Sequence, residues 1–298
     1  MTSAPPVSVI TTAYNREAYL GDAIESVLAS SFEDFEYIVV DDCSSDATFD
    51  LAQRYAAMDS RVRVYRNEVN LGDYKNRHYA ATLAQGTYLK YVDSDDVIYP
   101  HGLQVMMQSA SRFPDAGLAL SCKPEAQRSY PVALSPREAY RRHFFEGGLF
   151  NNGPLSTLIK RDAYHAAGGF TGEQFIGDAQ LWLAIARDAL VILMPQDLTW
   201  WRSHGEQELA YELRTLDTVA ARHSLAINSL RDTRSPLSDA ETQRALDIVQ
   251  RKHASLILSV ARRFSFAQAF KLAQTLGLST GDFVHALSSR LTKGRKAL

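Results

Sequence analysis

VSVITTAYN (residues 7–15) runs directly into REAYLGDAIESVLAS (16–30). The first stretch is apolar and β-branched and ends in polar residues. The second sets Tyr19, Ala23, Ile24, Val27 and Leu28 near helical spacing, so the pair reads as strand, loop, helix. FEYIVVDDCSSDAT (35–48) repeats the scheme. Asp41 and Asp42 close its β-rich run, and a Ser/Asp cluster follows that can cap the helix DLAQRYAAM (50–58). RVRVYRN (61–67) is a third short strand, and NLGDYKNRHYAATLAQG (70–86) is a helical stretch with Gly86 as its C-cap. GTYLKYV (86–92) then leads as a buried strand into DSDD (93–96). This β-α-β-α alternation predicts an α/β fold with a mostly parallel sheet and helices on both faces. Such sheets bind ligands at the carboxyl ends of their strands, where Asp41, Asp42 and DSDD all fall. One shared site is the expectation.

The middle of the chain is less regular. SPREAYRRHFFEG (135–147) reads as a short helix, and NNGPLSTLIKRDAYHAAGGF (151–170) as turn, strand and helix. DAQLWLAIARDA (178–189) has helical periodicity, and VILMPQDLTWWRSH (191–204) reads as strands broken by Pro195. From about 206 the pattern becomes helical, with ARRFSFAQAFKLAQTL (261–276) amphipathic. The expected division is therefore a catalytic domain over 1–205 and a helical C-terminal appendage over 206–298.

The chain has 298 residues and a net charge of −2. No apolar stretch approaches the length of a membrane span, and the N-terminus lacks a signal-peptide pattern. Two cysteines, Cys43 and Cys122, are too few for a disulfide framework or a cysteine metal site. A cytoplasmic location is the expectation. Charge is unevenly placed: residues 241–298 hold ten basic side chains against three acids, a balance of +7 that leaves −9 on the rest. A basic tail region beside an acidic body points to a polyanionic neighbour, here an anionic membrane surface contacted peripherally at its inner face, with no nucleic acid.

Three carboxylates within DSDD repel one another and are costly to desolvate unless a cation neutralises them. A solvated acidic turn and a metal site both fit these four residues taken alone. No G-x-G-x-x-G follows the first strand and no G-x-x-x-x-G-K-[ST] occurs, so phosphates bound here need another counter-charge. Mg²⁺ typically takes one or two protein carboxylates and fills its shell with phosphate oxygens and water, which suits DSDD.

Taken together, VSVITTAYN, YIVVDDCSSDAT, NLG with Arg77 and Gly86 downstream, YVDSDD, the GGF turn at 168–170 and an acid ahead of LWLAIAR resemble the family 2 glycosyltransferases of the GT-A fold. The resemblance spans roughly residues 6–205. It implies a Rossmann-like, nucleotide-sugar-dependent, inverting enzyme that uses a divalent cation, Mg²⁺ or Mn²⁺. Thr11, Ala13 and Tyr14 then end the first strand where the nucleotide pocket begins. Asp41 or Asp42 accepts hydrogen bonds from the base. Arg77 matches the family's arginine, although Lys75, Asn76 and His78 depart from its neighbours. Asp93 and Ser94 lie near the nucleoside, and Asp95 holds the metal, with His204 as a further metal ligand. Asp96 caps the following turn or orients its neighbours.

Asp178 corresponds to the family's catalytic base. Gly177 stands where the family commonly has Glu, and by local chemistry alone Asp178 is an N-cap of the helix that follows. Trp200 and Trp201 form either a sugar-stacking wall or, for at least one of them, buried packing. The implied donor is a nucleotide-diphosphate sugar, UDP ahead of GDP or dTDP. The implied acceptor is a saccharide or lipid-linked saccharide, as in bacterial-type surface polysaccharide or glycolipid synthesis. Competing readings are an aspartate-nucleophile phosphohydrolase using Asp93 and a catalytically silent nucleotide-sugar-binding protein. A calcium loop fails because the glycine it needs is Ile98.

Overall fold

The computed structural model describes residues 4–123, 128–172, 176–203, 216–261 and 265–286. The chain opens with β1 (Val7–Ala13), α1 (Leu20–Leu28), β2 (Phe35–Asp41), α2 (Thr48–Met58), β3 (Val62–Arg66), α3 (Asp73–Thr82) and β4 (Tyr88–Tyr91). It continues with β5 (Val97–Ile98), α4 (Gly102–Ser111), β6 (Ala116–Cys122), β7 (Val132–Leu134) and α5 (Pro136–Arg141). Next come β8 (Thr157–Lys160), α6 (Arg161–Ala166), α7 (Gly177–Asp188), β9 (Leu190–Pro195) and β10 (Thr199–Trp200). Three helices follow: α8 (Leu216–Arg231), α9 (Asp239–Ala261) and α10 (Phe266–Thr275).

Eight strands form one sheet in the order β3-β2-β1-β4-β8-β6-β9-β7, and β5 pairs with β10 in a separate ribbon. The first half is parallel throughout, β1 lying between β2 and β4. Beyond it β8 runs antiparallel to both β4 and β6, and β7 antiparallel to β9. All seven residues of β1 are buried, which is why its sequence reads as an apolar run rather than an alternation. Helix α1 turns Leu20, Ala23, Ile24 and Val27 onto the sheet. Full burial of such an aliphatic side chain is worth about 1.5–3 kcal/mol.

Two helix ends differ from expectation. Helix α2 starts at Thr48, and its cap residue Ala47 makes no side-chain cap bond; Asp46 instead accepts from the Thr48 N–H at 3.0 Å. Helix α3 ends at Thr82, so Gly86 is not its C-cap. A side chain on Gly86 would meet the Ser8 main-chain nitrogen at 2.4 Å, and its N–H donates to Ser8 Oγ at 2.8 Å. Gly86 is required by close approach of backbone to β1.

The chain divides into two compact units, Met1–Ala139 with Leu149–His204, and Tyr140–Gly148 with Gly205–Leu298. The second unit recruits the π-helical turn Arg142–Gly147, which the sequence pattern had merged into one helix with α5. Its core gathers Val219, Ile257, Ala269, Leu272 and Ala273. Ser238 and Glu241 cap α9 reciprocally, the Ser238 N–H reaching Glu241 Oε2 at 3.0 Å. Leu272 packs inward, while Phe266 and Phe270 are 82% and 66% exposed.

Candidate active site

The parallel register sets Ala13 beside Asp41, and the Asp42 N–H donates to the Ala13 carbonyl at 2.8 Å. The ends of β1, β2 and β4 are thus neighbours, as the strand-end acids implied. Asn15 and the Ser44–Ser45 turn lock the first two loops together, Asn15 N to Ser44 Oγ and Ser45 N to Asn15 Oδ1 each at 2.9 Å. Asn15 and Cys43 hold positive φ of 51° and 63°, a left-handed conformation that these tight turns impose on non-glycine residues.

Thr11 belongs to the floor of this region rather than its surface. Its hydroxyl donates to the Val92 carbonyl at 2.7 Å and lies 2.9 Å from the Tyr37 hydroxyl, and the residue is fully buried. Tyr14 is exposed and Ala13 buried. The two adjacent aspartates have different duties. Asp42 accepts from Asn67 Nδ2 (2.6 Å) and from the Leu71 and Gly72 N–H groups (2.9 Å each), tying the NLG turn to β2. Asp41 Oδ2 accepts from the Ser44 N–H at 3.1 Å and meets Arg66 Nε at 3.3 Å. Its other oxygen, Oδ1, is buried without a hydrogen-bond partner among the described residues.

The DSDD acids are each met by an arginine from a different segment. Arg77 Nη1 on α3 donates to Asp93 Oδ1 at 2.6 Å. Arg16, in the loop after β1, brings Nε to 3.6 Å from Asp95 Oδ2. The Arg202 N–H donates to buried Asp96 Oδ1 at 2.8 Å, and its guanidinium bonds the Asp95 carbonyl and Asp22. Asp96 therefore clamps the segment after β10 instead of capping a turn. Burial, with help from Asp93, pushes its carboxyl up to about 7.

Sequence reasoning missed Lys90. It lies within a run that reads as an ordinary buried strand, yet its ammonium is buried and donates to the Leu155 carbonyl. Burial pulls its pKa down to about 7, although Asp93 and Asp96 oppose that shift. A lone lysine in a strand pattern with acids three and six residues on is the signal that was available.

Asp178 does not cap α7. The helix opens at Gly177 after the cap residue Ile176, with no side-chain cap bond, so Asp178 stands in the first turn. Gly177 has a steric cause: a side chain there would strike the Tyr74 ring at 2.6 Å. Burial disfavours the Arg77 charge, but Asp73, Asp93 and Asp178 outweigh it and hold its pKa well above the ordinary arginine value. One guanidinium thereby links the DSDD strand end to Asp178. Trp200 and Trp201 are both exposed, against the packing expectation, and the Arg202 guanidinium lies 5.0 Å over the Trp200 ring. His204 lies outside the described residues.

No group of three or more His, Cys, Asp or Glu among the described residues could hold a metal ion alone. A hard cation completed by diphosphate needs only one or two carboxylates, and the oxygen donors of Asp95 and Asp93 at this strand end fit that demand.

The family described as "Glycosyl transferase family 2" matches residues 8–168 of the chain. The chain is 40% identical over 120 residues to the putative teichuronic acid biosynthesis glycosyltransferase TuaG of Bacillus subtilis. That match covers 39% of this chain and 48% of TuaG, so the chain spans about half the length of that relative. Among solved structures, S. aureus TarS 1-349 in complex with UDP-GlcNAc superposes with a TM-score of 0.66 at 19% identity, over 95% of this chain and 80% of that one. The mannosyltransferase PcManGT from Pyrobaculum calidifontis, in complex with GDP-Man and Mn²⁺, gives 0.62 at 18% identity, over 97% and 88%. The two likenesses show the fold, which is the GT-A type that the sequence implied.

Proposed function

The chain belongs to glycosyl transferase family 2, and on that premise we propose that it moves a sugar from a nucleotide-diphosphate sugar to an acceptor hydroxyl with inversion at the anomeric carbon. The observation that carries this is Arg77. Its guanidinium holds Asp93 at the donor side and feels the charge of Asp178 across the site. Asp178 takes the proton of the acceptor hydroxyl as the oxygen attacks. A nearby guanidinium favours the ionised carboxylate that a general base requires.

On the donor side, Ala13, Tyr14, Asp41 and Asp42 surround the base, with Thr11 beneath them, and Asp93 and Ser94 meet the nucleoside. Asp95, with Asp93 beside it and His204 as a further candidate, would hold Mg²⁺ or Mn²⁺. Such an ion, when bound, acts as a Lewis acid on the departing diphosphate. PcManGT was seen with GDP-Man and Mn²⁺ and TarS with UDP-GlcNAc, and both support a nucleotide-sugar donor here. TuaG is named for teichuronic acid biosynthesis, which supports a saccharide acceptor, free or lipid-linked, in the proposed reaction.

Peripheral contact with an anionic membrane is part of the same proposal. No helix among the described residues is long and apolar enough to cross a membrane. Exposed Phe266 and Phe270, one helical turn apart on α10, combine with the +7 balance of residues 241–298 to favour an anionic lipid surface.

Family membership removes the phosphohydrolase reading, and the Arg77–Asp93 pair agrees, since a nucleophile engaged by a guanidinium is a poor one. The test is turnover. A panel of UDP-, GDP- and dTDP-sugars is incubated with Mg²⁺ or Mn²⁺, and release of nucleoside diphosphate is followed. Slow metal-dependent release from one donor is the expected result; no release from any, with binding intact, leaves a silent binding protein.

A further inference from the structure

Arg16 was not among the residues that the sequence singled out. Its Nε stands 3.6 Å from Asp95 Oδ2, and both side chains are largely buried, 23% and 15% exposed. The main chain beneath it is fixed, because the Arg16 N–H donates to Thr48 Oγ1 at 2.7 Å. Its Nη1 donates to the Asn15 carbonyl at 3.1 Å and, at 3.4 Å, to that of Tyr14. The guanidinium is therefore held by two neutral carbonyls of its own loop on one side. On the other it meets Asp95 by charge, at more than hydrogen-bond distance.

We infer that Arg16 is an exchangeable counter-ion: it neutralises Asp95 while the donor is absent, yields that carboxylate to the divalent cation, and then pairs with the donor's diphosphate. The inference rests on the donor-site reading above. A divalent cation on Asp95 would sit within a few ångströms of the guanidinium, and two like charges so close repel strongly. Diphosphate oxygens between them reverse the sign for both partners. A planar guanidinium offers paired N–H donors that match phosphate oxygens, and the fixed backbone of Arg16 keeps the side chain within reach after Asp95 is released.

Removing the charge should therefore act in opposite directions on the two ligands. Arg16→Gln and Arg16→Lys are compared with the parent protein, and melting curves establish that each is folded. Mn²⁺ alone is titrated by the paramagnetic resonance of the free ion, and UDP and GDP by calorimetry at saturating Mn²⁺. Arg16→Gln is expected to bind Mn²⁺ alone at least about threefold more tightly, and the nucleotide that the parent accepts about tenfold more weakly. Arg16→Lys, which keeps the charge, should stay closer to the parent on both. A purely structural residue would weaken both ligands and a simple competitor would strengthen both; either pattern, or no change, overturns the inference. Should Arg16→Gln fail to fold, Arg16→Lys decides: a nucleotide affinity about tenfold or more below the parent's overturns the inference, and one closer to the parent's supports it. A parent protein that binds neither UDP nor GDP with Mn²⁺ overturns the donor-site reading itself, and the inference falls with it.

Discussion

Arg77 Nη1 lies 2.6 Å from Asp93 Oδ1, while Nε of the same guanidinium lies 2.9 Å from Asp73 Oδ1. The arginine is one turn along α3 from Asp73 and crosses to the end of β4, so it staples a helix to the strand that carries the acids. Its guanidinium carbon lies 5.8 Å from the centre of the Tyr91 ring, and the Tyr91 hydroxyl donates back to the Arg77 carbonyl at 3.0 Å. Arg77→Met would leave Asp73, Asp93 and Asp178 facing one another without their common cation. A loss of about 3 kcal/mol in unfolding free energy is expected, since an uncompensated acid remains partly buried. Urea denaturation of the two proteins measures it, and a change within 0.5 kcal/mol would show the staple to be ornamental (roughly the size of an ordinary surface substitution).

Asp178→Asn separates catalysis from helix stability. Because Asp178 stands in the first turn of α7 rather than at its cap position, its neutralisation should leave melting close to the parent. Transfer should fall by about 10²–10⁴-fold, the usual worth of a general base, with donor affinity near normal. Turnover near the parent's together with a loss of about 1 kcal/mol would assign the residue to helix capping after all.

Gly177 and Tyr74 form a matched pair. The ring packs where a Cβ at 177 would reach to within 2.6 Å of it, so Gly177→Ala should cost about 1–3 kcal/mol by overpacking. Tyr74→Ala opens the space, and the double variant should recover much of the alanine penalty. Chemical denaturation of all four proteins gives the coupling directly. Additive losses would mean that the glycine answers to something other than Tyr74.

The neighbouring strand ends were readable because burial writes β1, β2 and β4 as largely apolar runs, the first stopping at polar residues and the other two at acids. What stayed hidden depends on contacts far apart in sequence. Gly86 reads as a helix cap until β1 is seen pressing on its Cα, and Gly177 reads as a lost Glu until Tyr74 is in place. The partners of the acids, Arg16 at 3.6 Å from Asp95 and the Arg202 N–H at 2.8 Å from Asp96, come from loops about 80 and 106 residues away. No local periodicity encodes such pairs. The antiparallel insertion of β8 between β4 and β6 is equally silent in a β-α alternation.

Lys90 makes stability depend on pH above neutrality. Its folded pKa of about 7 lies below the ordinary 10.5, so between those values the unfolded chain binds a proton that the native state does not. Stability contributed by this residue therefore rises with pH from about 7 toward 10.5 and is lost as pH falls through 7. Unfolding free energies at pH 7, 8 and 9 should climb in the parent and climb less in Lys90→Met. Equal slopes in the two proteins would show that the buried amine keeps its proton throughout.

Phe266 and Phe270 occupy one face of α10, while Ala269, Leu272 and Ala273 on the other pack into the core of the helical unit. Ser265 caps the helix by accepting from the Gln268 N–H, so the aromatic pair is presented on a formed element rather than a fraying end. Lys271 follows Phe270 directly, and the rest of the positive charge lies in the flanking sequence. Insertion of the two rings into the interface supplies apolar energy, and each basic residue near an anionic surface adds about 1 kcal/mol that salt screens. The protein should co-sediment with vesicles containing phosphatidylglycerol at low salt, and weakly with neutral phosphatidylcholine. Phe266→Ser with Phe270→Ser should reduce that binding about tenfold or more while leaving metal-dependent donor turnover unchanged. Equal binding to neutral and anionic vesicles, or none at low salt, would sink the membrane assignment. Loss of self-association in the same double variant, read by sedimentation equilibrium, would instead identify the aromatic face as a contact between two copies of the chain.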